Sequence, residues 1–300
     1  MEALILSHFQ FSEATIRLTA FIIVLAIMMI WEIAAPRRTL TLPRRRRWFG
    51  NLGIILINTL IVRVLAFFLP VSMAIAARNR EWGVMNQFDL PLWFGIIAGV
   101  VLLDLMIYLQ HVMFHTIPLL WRLHLVHHAD LDLDVTSGIR FHPVEILLSM
   151  LIKLAAVSVI GPPPLAVILF EVLLNATSMF NHGNVRMPIP LDRVLRYFVV
   201  TPDMHRVHHS VNIRETNSNF GFNLPWWDRL LGTYRDQPVA GHQGIVIGLA
   251  HYRDTWVLSL ARMLILPLVA EIGVYAINRR GAEPKRKETT LDQAQFPGSE

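Results

Sequence analysis

Long apolar runs separated by short polar segments dominate the chain. The first three extend over about 16–35, 52–77 and 90–109. Each is long enough to cross a hydrocarbon core of roughly 30 Å as a helix. We expect the first run to be an anchor rather than a signal peptide, because no basic segment precedes it and it is longer than the apolar part of a signal. The pattern therefore predicts an all-α, polytopic integral membrane protein.

Two helix breakers modify this picture. Pro70 interrupts the second run, where we expect a kinked helix. Further along, apolar runs at about 144–160 and 165–180 flank the sequence Gly161-Pro162-Pro163-Pro164, which cannot continue a helix. These two runs predict a helical hairpin in the membrane.

The last apolar run, at about 256–277, contains Arg262, Pro267 and Glu271. These residues favour an amphipathic helix in the membrane interface, with a further span as the alternative. After Arg279 the chain is polar, contains Pro and Gly, and lacks apolar periodicity. This composition predicts a disordered tail.

Composition excludes a single soluble domain. Hydrophobic residues make up 54% of the chain and charged residues 16%, whereas soluble domains carry about 25% charged residues. The net charge of +5 does not indicate nucleic-acid binding, because the basic residues bracket apolar runs. Arg37, Arg38 and the run 44–47 follow the first apolar segment, where the positive-inside rule predicts the cytoplasm. The chain has no cysteine, which excludes disulfides and thiolate-ligated metal sites.

This topology brings the histidine-rich segments together. If residues 37–47 are cytoplasmic, the third run and the hairpin both return to the cytoplasmic side. They deliver the segments 111–142 and 182–209 to the same end of the helices. We therefore expect a cytosolic, histidine-rich cap on the membrane helices.

Four short segments carry nine histidines in a pattern typical of metal binding. They are His111-Val-Met-Phe-His115, His124-Leu-Val-His127-His128, Asn181-His182 and His205-Arg-Val-His208-His209. Spacings of three and four residues place imidazoles on one face of a helix. Neutral imidazole binds iron, zinc, copper and nickel. Nine clustered histidines exceed one ordinary four-ligand site and predict two metal ions in one pocket.

These segments, together with neighbouring ones, resemble the fatty acid hydroxylase superfamily, specifically its sterol desaturase branch. The similarity extends from the third apolar run to Tyr234. It rests on the histidine segments above and on Asp104-Leu-Met-Ile-Tyr108, Arg140-Phe-His142-Pro143-Val-Glu145, Thr201-Pro202-Asp203 and Trp227-Asp228-Arg229-Leu-Leu-Gly232-Thr233-Tyr234. The resemblance implies a helical membrane protein with a cytosolic di-iron centre. Such an enzyme uses O2 and electrons to hydroxylate or desaturate a C–H bond of a lipid.

Carried over residue by residue, the resemblance makes nine histidines both metal ligands and catalytic residues. They are His111, His115, His124, His127, His128, His182, His205, His208 and His209. His142 is a further candidate ligand, with a supporting role or a simple helix start as alternatives. The family pattern differs at Val112, where Arg is frequent, and at Ser178, where some relatives have histidine.

We call the four histidine segments the histidine boxes. Carboxylates near these boxes are expected to accept hydrogen bonds from ligating imidazoles. The candidates are Asp104, Asp130, Asp203 and Asp228, each with a surface or capping role as the alternative. For Asp132 and Asp134, which alternate with leucine in an expected loop, the surface or capping role is favoured. Trp226 and Trp227 are interpreted as anchors in the membrane interface, with substrate contact as the alternative.

We divide the chain into N-terminal transmembrane helices (1–88), a histidine-box catalytic region (89–236) and a C-terminal membrane-associated helix with its tail (237–300). No dinucleotide-binding or haem-attachment motif is present, so the electrons would come from an external reductase or small redox protein. Two alternatives are a non-catalytic metal-binding membrane protein or transporter, and a zinc hydrolase. Transporters place polar ligands near the bilayer midplane, whereas these histidines lie at the ends of apolar runs.

Overall fold

A computed structural model describes residues 2–64, 70–271 and 275 of the chain. Within them the fold is helical, and the β-structure consists of two isolated bridges. In chain order the helices are α1 (Glu2–Ala34), α2 (Arg44–Val64), α3 (Pro70–Asn79), α4 (Leu92–Thr116), α5 (Pro118–His128), α6 (Pro143–Ile160), α7 (Pro164–Asn181), α8 (Ile189–Leu195), α9 (Pro202–His208), α10 (Ile213–Thr216), α11 (Trp226–Leu230), α12 (Gly241–Gly244) and α13 (Leu260–Val269).

Five of the described helices are long and apolar enough to cross a membrane. They are the Glu13–Ala34 part of α1, and α2, α4, α6 and α7. The second apolar run is described as α2 and α3, and Pro70 is the first described residue of α3. Residues 65–69 lie outside the described part of the chain, so the kink expected at Pro70 stays a prediction.

The predicted hairpin is formed by α6 and α7. Helix α6 ends at Gly161, whose φ of 67° is a left-handed conformation that favours glycine. Two prolines follow, and Pro164 then occupies the first position of α7. Helix α4 packs against both arms of the hairpin, and α1 packs against α7. The histidine-bearing ends of α4 and α7 therefore lie side by side.

A network of charged residues joins the spanning helices away from the histidines. The Glu171 carboxylate on α7 contacts Lys153 Nζ on α6 at 2.6 Å and Arg17 on α1 at 2.5 Å. Arg17 also contacts Glu13 at 3.0 Å. Charges in a membrane are costly unless they are paired, so the network fixes which faces of α1, α6 and α7 meet.

The final apolar run forms the ten-residue helix α13, which is shorter than the roughly 20 residues of a span. It packs against α2 and α5, and Met263 and Leu266 are completely buried. The predicted disordered tail lies outside the described residues. The division into 1–88, 89–236 and 237–300 stays a prediction.

Candidate metal centre

Four helices bring the nine histidines together. His111 and His115 lie on the last two turns of α4. Helix α5, which carries the first HxxHH segment, begins after one intervening residue. His182 caps the C-terminus of α7. The second HxxHH segment forms the end of α9, which begins with a Thr201 cap followed by Pro202. Each box therefore lies at or near a helix end, beside the membrane-facing part of the bundle.

The nine histidines form two groups, and within each group the potential ligand atoms all lie within 4.8 Å of one another. One group has five members and the other has four. The first contains His111, His115, His124, His128 and His208; the second contains His127, His182, His205 and His209. The groups adjoin, since the ring centroids of His128 and His209 are 4.6 Å apart. Two metal ions in one pocket therefore match the arrangement of the donors.

The hydrogen bonds determine which ring nitrogens face inward without a proton. His127 and His182 each donate Nδ1–H to a backbone carbonyl, of Arg140 at 3.3 Å and of Ser178 at 2.7 Å. In their neutral forms, both Nε2 atoms therefore carry lone pairs, and these atoms lie 3.0 Å apart. Two lone pairs repel at this distance unless a cation lies between them. Nitrogens about 2.1 Å from one ion, at right angles to each other, would be about 3 Å apart.

The same pattern occurs in the five-histidine group. His111 donates Nδ1–H to the Phe220 carbonyl at 2.8 Å, and His124 donates to a carboxylate. Their Nε2 atoms face each other at 3.1 Å. His208 Nε2 is buried and has no hydrogen-bond partner. The donor chemistry of both groups therefore fits a metal ion.

Burial keeps the imidazoles in the form that binds metal. It lowers the pKa of His182 from its ordinary value of 6.5 to about 3. Burial and the neighbouring imidazoles likewise hold the pKa of His127, His128 and His209 well below the ordinary value. At neutral pH these rings are uncharged, and neutral imidazole is the metal ligand.

The match to known proteins concerns this same region. Residues 96–233, which include all nine histidines, match the fatty acid hydroxylase family. Over this part of its length the chain is similar to the fatty acid hydroxylase superfamily. An ornithine lipid hydroxylase of Rhizobium tropici is 32% identical over 49% of this chain and 44% of its own length. Human alkylglycerol monooxygenase is 27% identical over 58% and 38%.

A cholesterol 25-hydroxylase of Rattus norvegicus is 26% identical over 58% of this chain and 58% of its own length. The chain thus spans less than two thirds of each of these relatives. No solved structure matches it. The named relatives act on three different lipids, so similarity to this family does not by itself select a substrate.

The carboxylate that contacts a box histidine directly is one that sequence reasoning missed. Glu145, on the first turn of α6, accepts a hydrogen bond from His124 Nδ1 at 2.6 Å. Its other oxygen is buried without a partner. The family element that contains His142 and Pro143 also contains Glu145, so the signal was present in the sequence.

Asp228 is connected to a box histidine indirectly, through the backbone of Phe220. Its two oxygens accept hydrogen bonds from the backbone N–H groups of Phe220 and Gly221, each at 2.8 Å. The Phe220 carbonyl is the acceptor for His111. Asp228 therefore positions the loop that orients His111, and it does not contact the imidazole itself.

The other predicted carboxylates have different partners. Asp130 forms a buried ion pair with Arg47 at 2.7 Å instead of contacting a histidine. Burial alone would raise the pKa of Asp130, but the Arg47 guanidinium lowers it well below its usual range. Asp203 is paired with Arg37 at 2.9 Å and with Arg206. These contacts attach the segment that follows α1 to the helices carrying the boxes.

The surface interpretation of Asp132 and Asp134 is wrong, because both are buried. Asp134 contacts Arg47 at 2.7 Å, and Asp132 accepts hydrogen bonds from the N–H and hydroxyl of Thr41. The Trp227 indole N–H donates to Asp104 at 2.8 Å. The interpretation of Trp226 and Trp227 as interface anchors stays a prediction.

His142 does not join either group. It caps α6 by accepting a hydrogen bond from the Val144 N–H at 3.2 Å, and its Nε2 donates to the Leu264 carbonyl. Both ring nitrogens are therefore engaged with backbone. At Ser178, where some relatives have histidine, the carbonyl accepts from His182 and the hydroxyl donates to the Gly138 carbonyl at 2.6 Å.

Proposed function

We propose that this chain is an O2-dependent membrane oxidoreductase that hydroxylates or desaturates a C–H bond of a lipid at a di-iron centre. The observation that carries the proposal is the pair of adjoining histidine groups with inward-facing, unprotonated Nε2 atoms. The five-histidine group would hold one iron, and the four-histidine group the other. His142 is not included among the proposed ligands.

The metals would supply the redox chemistry by activating O2 with electrons from outside the chain. For hydroxylation, one C–H bond, O2, two electrons and two protons give an alcohol and one water. Desaturation breaks two C–H bonds on adjacent carbons, and with O2, two electrons and two protons it gives an alkene and two waters. The protein must orient one C–H bond and exclude solvent.

The surroundings of the histidines are suited to exclusion of water. All nine box histidines are buried. The Phe141 ring stacks on His127 with centroids 4.4 Å apart, and Phe220 lies 5.0 Å from His115. A dry pocket of this kind limits side reactions of an oxidising centre.

A groove between α4 and α6 supports a lipid substrate. It has a volume of about 370 Å³, within the range of ligand pockets. Its lining is mostly apolar and includes Leu105, Leu109, Met113 and Ile152. The same two helices carry His111 and Glu145, so a chain entering from the bilayer would approach the metal pocket from this side.

We propose that the site faces the cytoplasm and receives electrons from a separate reductase or small redox protein. The arginines after α1 support this orientation through the positive-inside rule. Arg45 and Arg46 are exposed at the start of α2. Labelling of single-cysteine variants with a membrane-impermeant maleimide, in intact cells and in inverted vesicles, tests the orientation.

The direct test is the metal content of the purified protein combined with oxygenase activity. We expect about two irons per chain, spectroscopic coupling between them, and an oxidised lipid that depends on O2 and a reductant. The substitution His208→Ala should abolish product formation. His251→Ala is the matched control, because His251 is exposed and lies outside both groups.

Retained activity in His208→Ala would refute the ligand assignment. One zinc per chain after iron loading, without oxygenase activity, would favour a hydrolase instead. A metal-loaded protein that transports the ion and oxidises none of the lipids would favour the transporter alternative.

A further inference from the structure

An exposed apolar surface lies on one edge of the histidine-bearing half of the molecule. It is formed by α8, the turn that follows it and α11, and we call it the α8–α11 surface. Its large side chains are each at least 40% exposed: Ile189, Leu191, Val194, Tyr197, Phe198, Trp226, Leu230 and Leu231. A contiguous apolar patch on a protein surface indicates an interaction site.

The two helices form one surface because they are joined directly. The Trp226 indole donates a hydrogen bond to the Tyr197 carbonyl at 2.7 Å. Arg229 donates to the Arg196 carbonyl at 3.1 Å, and its guanidinium lies 4.9 Å from the centre of the Tyr197 ring. The exposed groups of α8 and α11 are therefore held in a fixed arrangement.

The position of α11 along α4 suggests what covers this surface. Asp104 lies at the middle of the 25-residue helix α4. Its carboxylate accepts hydrogen bonds from the Trp227 indole at 2.8 Å and from the Leu224 backbone N–H at 3.2 Å. Asp104 lies on the same face of α4 as His111 and about 10 Å before it along the helix axis, at 1.5 Å per residue. The α8–α11 surface consequently runs alongside a spanning helix and not beyond its end.

The charges of the surface suit a lipid interface. Arg193 and Arg229 are exposed, whereas the acidic residue of α8, Asp192, is buried and paired with Arg196 at 2.7 Å. Aromatic rings, aliphatic side chains and arginines are the groups that bury apolar area at the headgroup boundary while reaching phosphates.

We propose that the α8–α11 surface is inserted into the boundary between headgroups and acyl chains of the bilayer. The partner is the phospholipid leaflet itself, with anionic headgroups near the arginines. The histidine-bearing half would then be partly immersed on this edge. This inference does not depend on the catalytic proposal, because it concerns placement in the membrane and not chemistry.

The chain has no cysteine, so a single introduced cysteine can be labelled uniquely. We would place a nitroxide at Leu230→Cys, since Leu230 is 73% exposed. The full chain would be reconstituted in nanodiscs of phosphatidylcholine and phosphatidylglycerol. Electron paramagnetic resonance would then measure collisions with O2, which concentrates in lipid, and with a water-soluble nickel chelate. We expect at least a severalfold higher ratio of O2 to nickel accessibility at Leu230→Cys than at the control site.

The control is Val246→Cys, another exposed apolar position. The adjacent Ile245 carbonyl accepts a hydrogen bond from Arg38, four residues beyond the end of α1. We expect the nickel chelate to reach Val246→Cys. A second label at Phe198→Cys should behave like Leu230→Cys.

Two results would overturn the proposal. High nickel accessibility at Leu230→Cys and Phe198→Cys would place the surface in water. An immobilised label shielded from both reagents would indicate a protein partner, including a second copy of the chain. Because neither result depends on iron or turnover, this test can fail while the oxygenase proposal stands, and the reverse is also possible.

Discussion

Removal of the Glu145 carboxylate should weaken metal binding without unfolding the protein. Glu145 accepts a hydrogen bond from His124 Nδ1 at 2.6 Å, and its second oxygen is buried without a partner. Glu145→Leu therefore deletes the bond from His124 to a charged acceptor, worth about 1.5–3 kcal/mol. At 1.36 kcal/mol per tenfold change, the expected loss of iron affinity is roughly 10- to 100-fold, the range found for groups that orient ligands.

The conservative variant separates orientation from packing. Glu145→Gln keeps an acceptor for His124 but removes the charge, and neutral bonds are about half as strong. We expect its iron affinity to fall about three- to tenfold, between the wild type and Glu145→Leu. Iron per chain and the rate of iron loss to a chelator would be measured for each. Ser149→Ala is the matched control, because Ser149 lies one turn further along α6 and bonds Gln110 instead. Equal iron affinity in the wild type and a folded Glu145→Leu would refute the reasoning.

Three further predictions concern stability and pH. Arg47→Met should lower the apparent melting temperature by roughly 10 °C, because loss of one partner from a buried ion pair costs about 3–5 kcal/mol. The control Arg45→Met, at an exposed position, should change it little. Equal melting temperatures for Arg47→Met and the wild type would contradict the argument. Glu171→Gln should lower thermal stability in detergent by leaving Lys153 without its anion, and an unchanged transition would show that the network is not stabilising. Burial lowers the pKa of His182 to about 3, so as pH falls below 6.5 the unfolded chain takes up a proton before the folded chain does. Metal-free protein should therefore lose stability as pH falls from about 6.5 toward 3. If the free energy of urea unfolding stayed constant over this range, the ring could not be buried and neutral.

The sequence indicates the clustered histidines more directly than it indicates their hydrogen-bond and ion-pair partners. Histidines at spacings of three and four residues are recognisable locally, and helix geometry alone places them on one face. Partner choice depends on contacts between distant segments. Glu145 and His124 are separated by 21 residues, and Asp130 and Arg47 by 83. No local pattern distinguishes the aspartate that pairs with an arginine from one that would bind an imidazole.

The spacing of Asp132 and Asp134 illustrates the same limit. Alternation of aspartate with leucine is typical of a polar loop, and the hydrophobicity of the residues alone predicts that the aspartates are exposed. The loop is buried because Arg47 and the segment at Thr41 fill the space above it. For the segment after α1, its charge and the positive-inside rule predict a cytoplasmic position and nothing more. Its second role, as the counter-charge of a buried acidic loop, depends on tertiary structure.

Arg47 shows why the metal pocket need not be assembled by the metal alone. Its guanidinium contacts Asp130, Asp134 and the Ser137 hydroxyl, and Arg140 reaches the Val126 carbonyl within the HxxHH turn of α5 at 2.8 Å. These bonds hold the loop after α5 without using any imidazole. The facing lone pairs of the box histidines oppose the same arrangement when no cation is bound. Since buried hydrogen-bonded ion pairs are rigid but individually stabilise little, we interpret this loop as the device that keeps the imidazoles in place against their mutual repulsion.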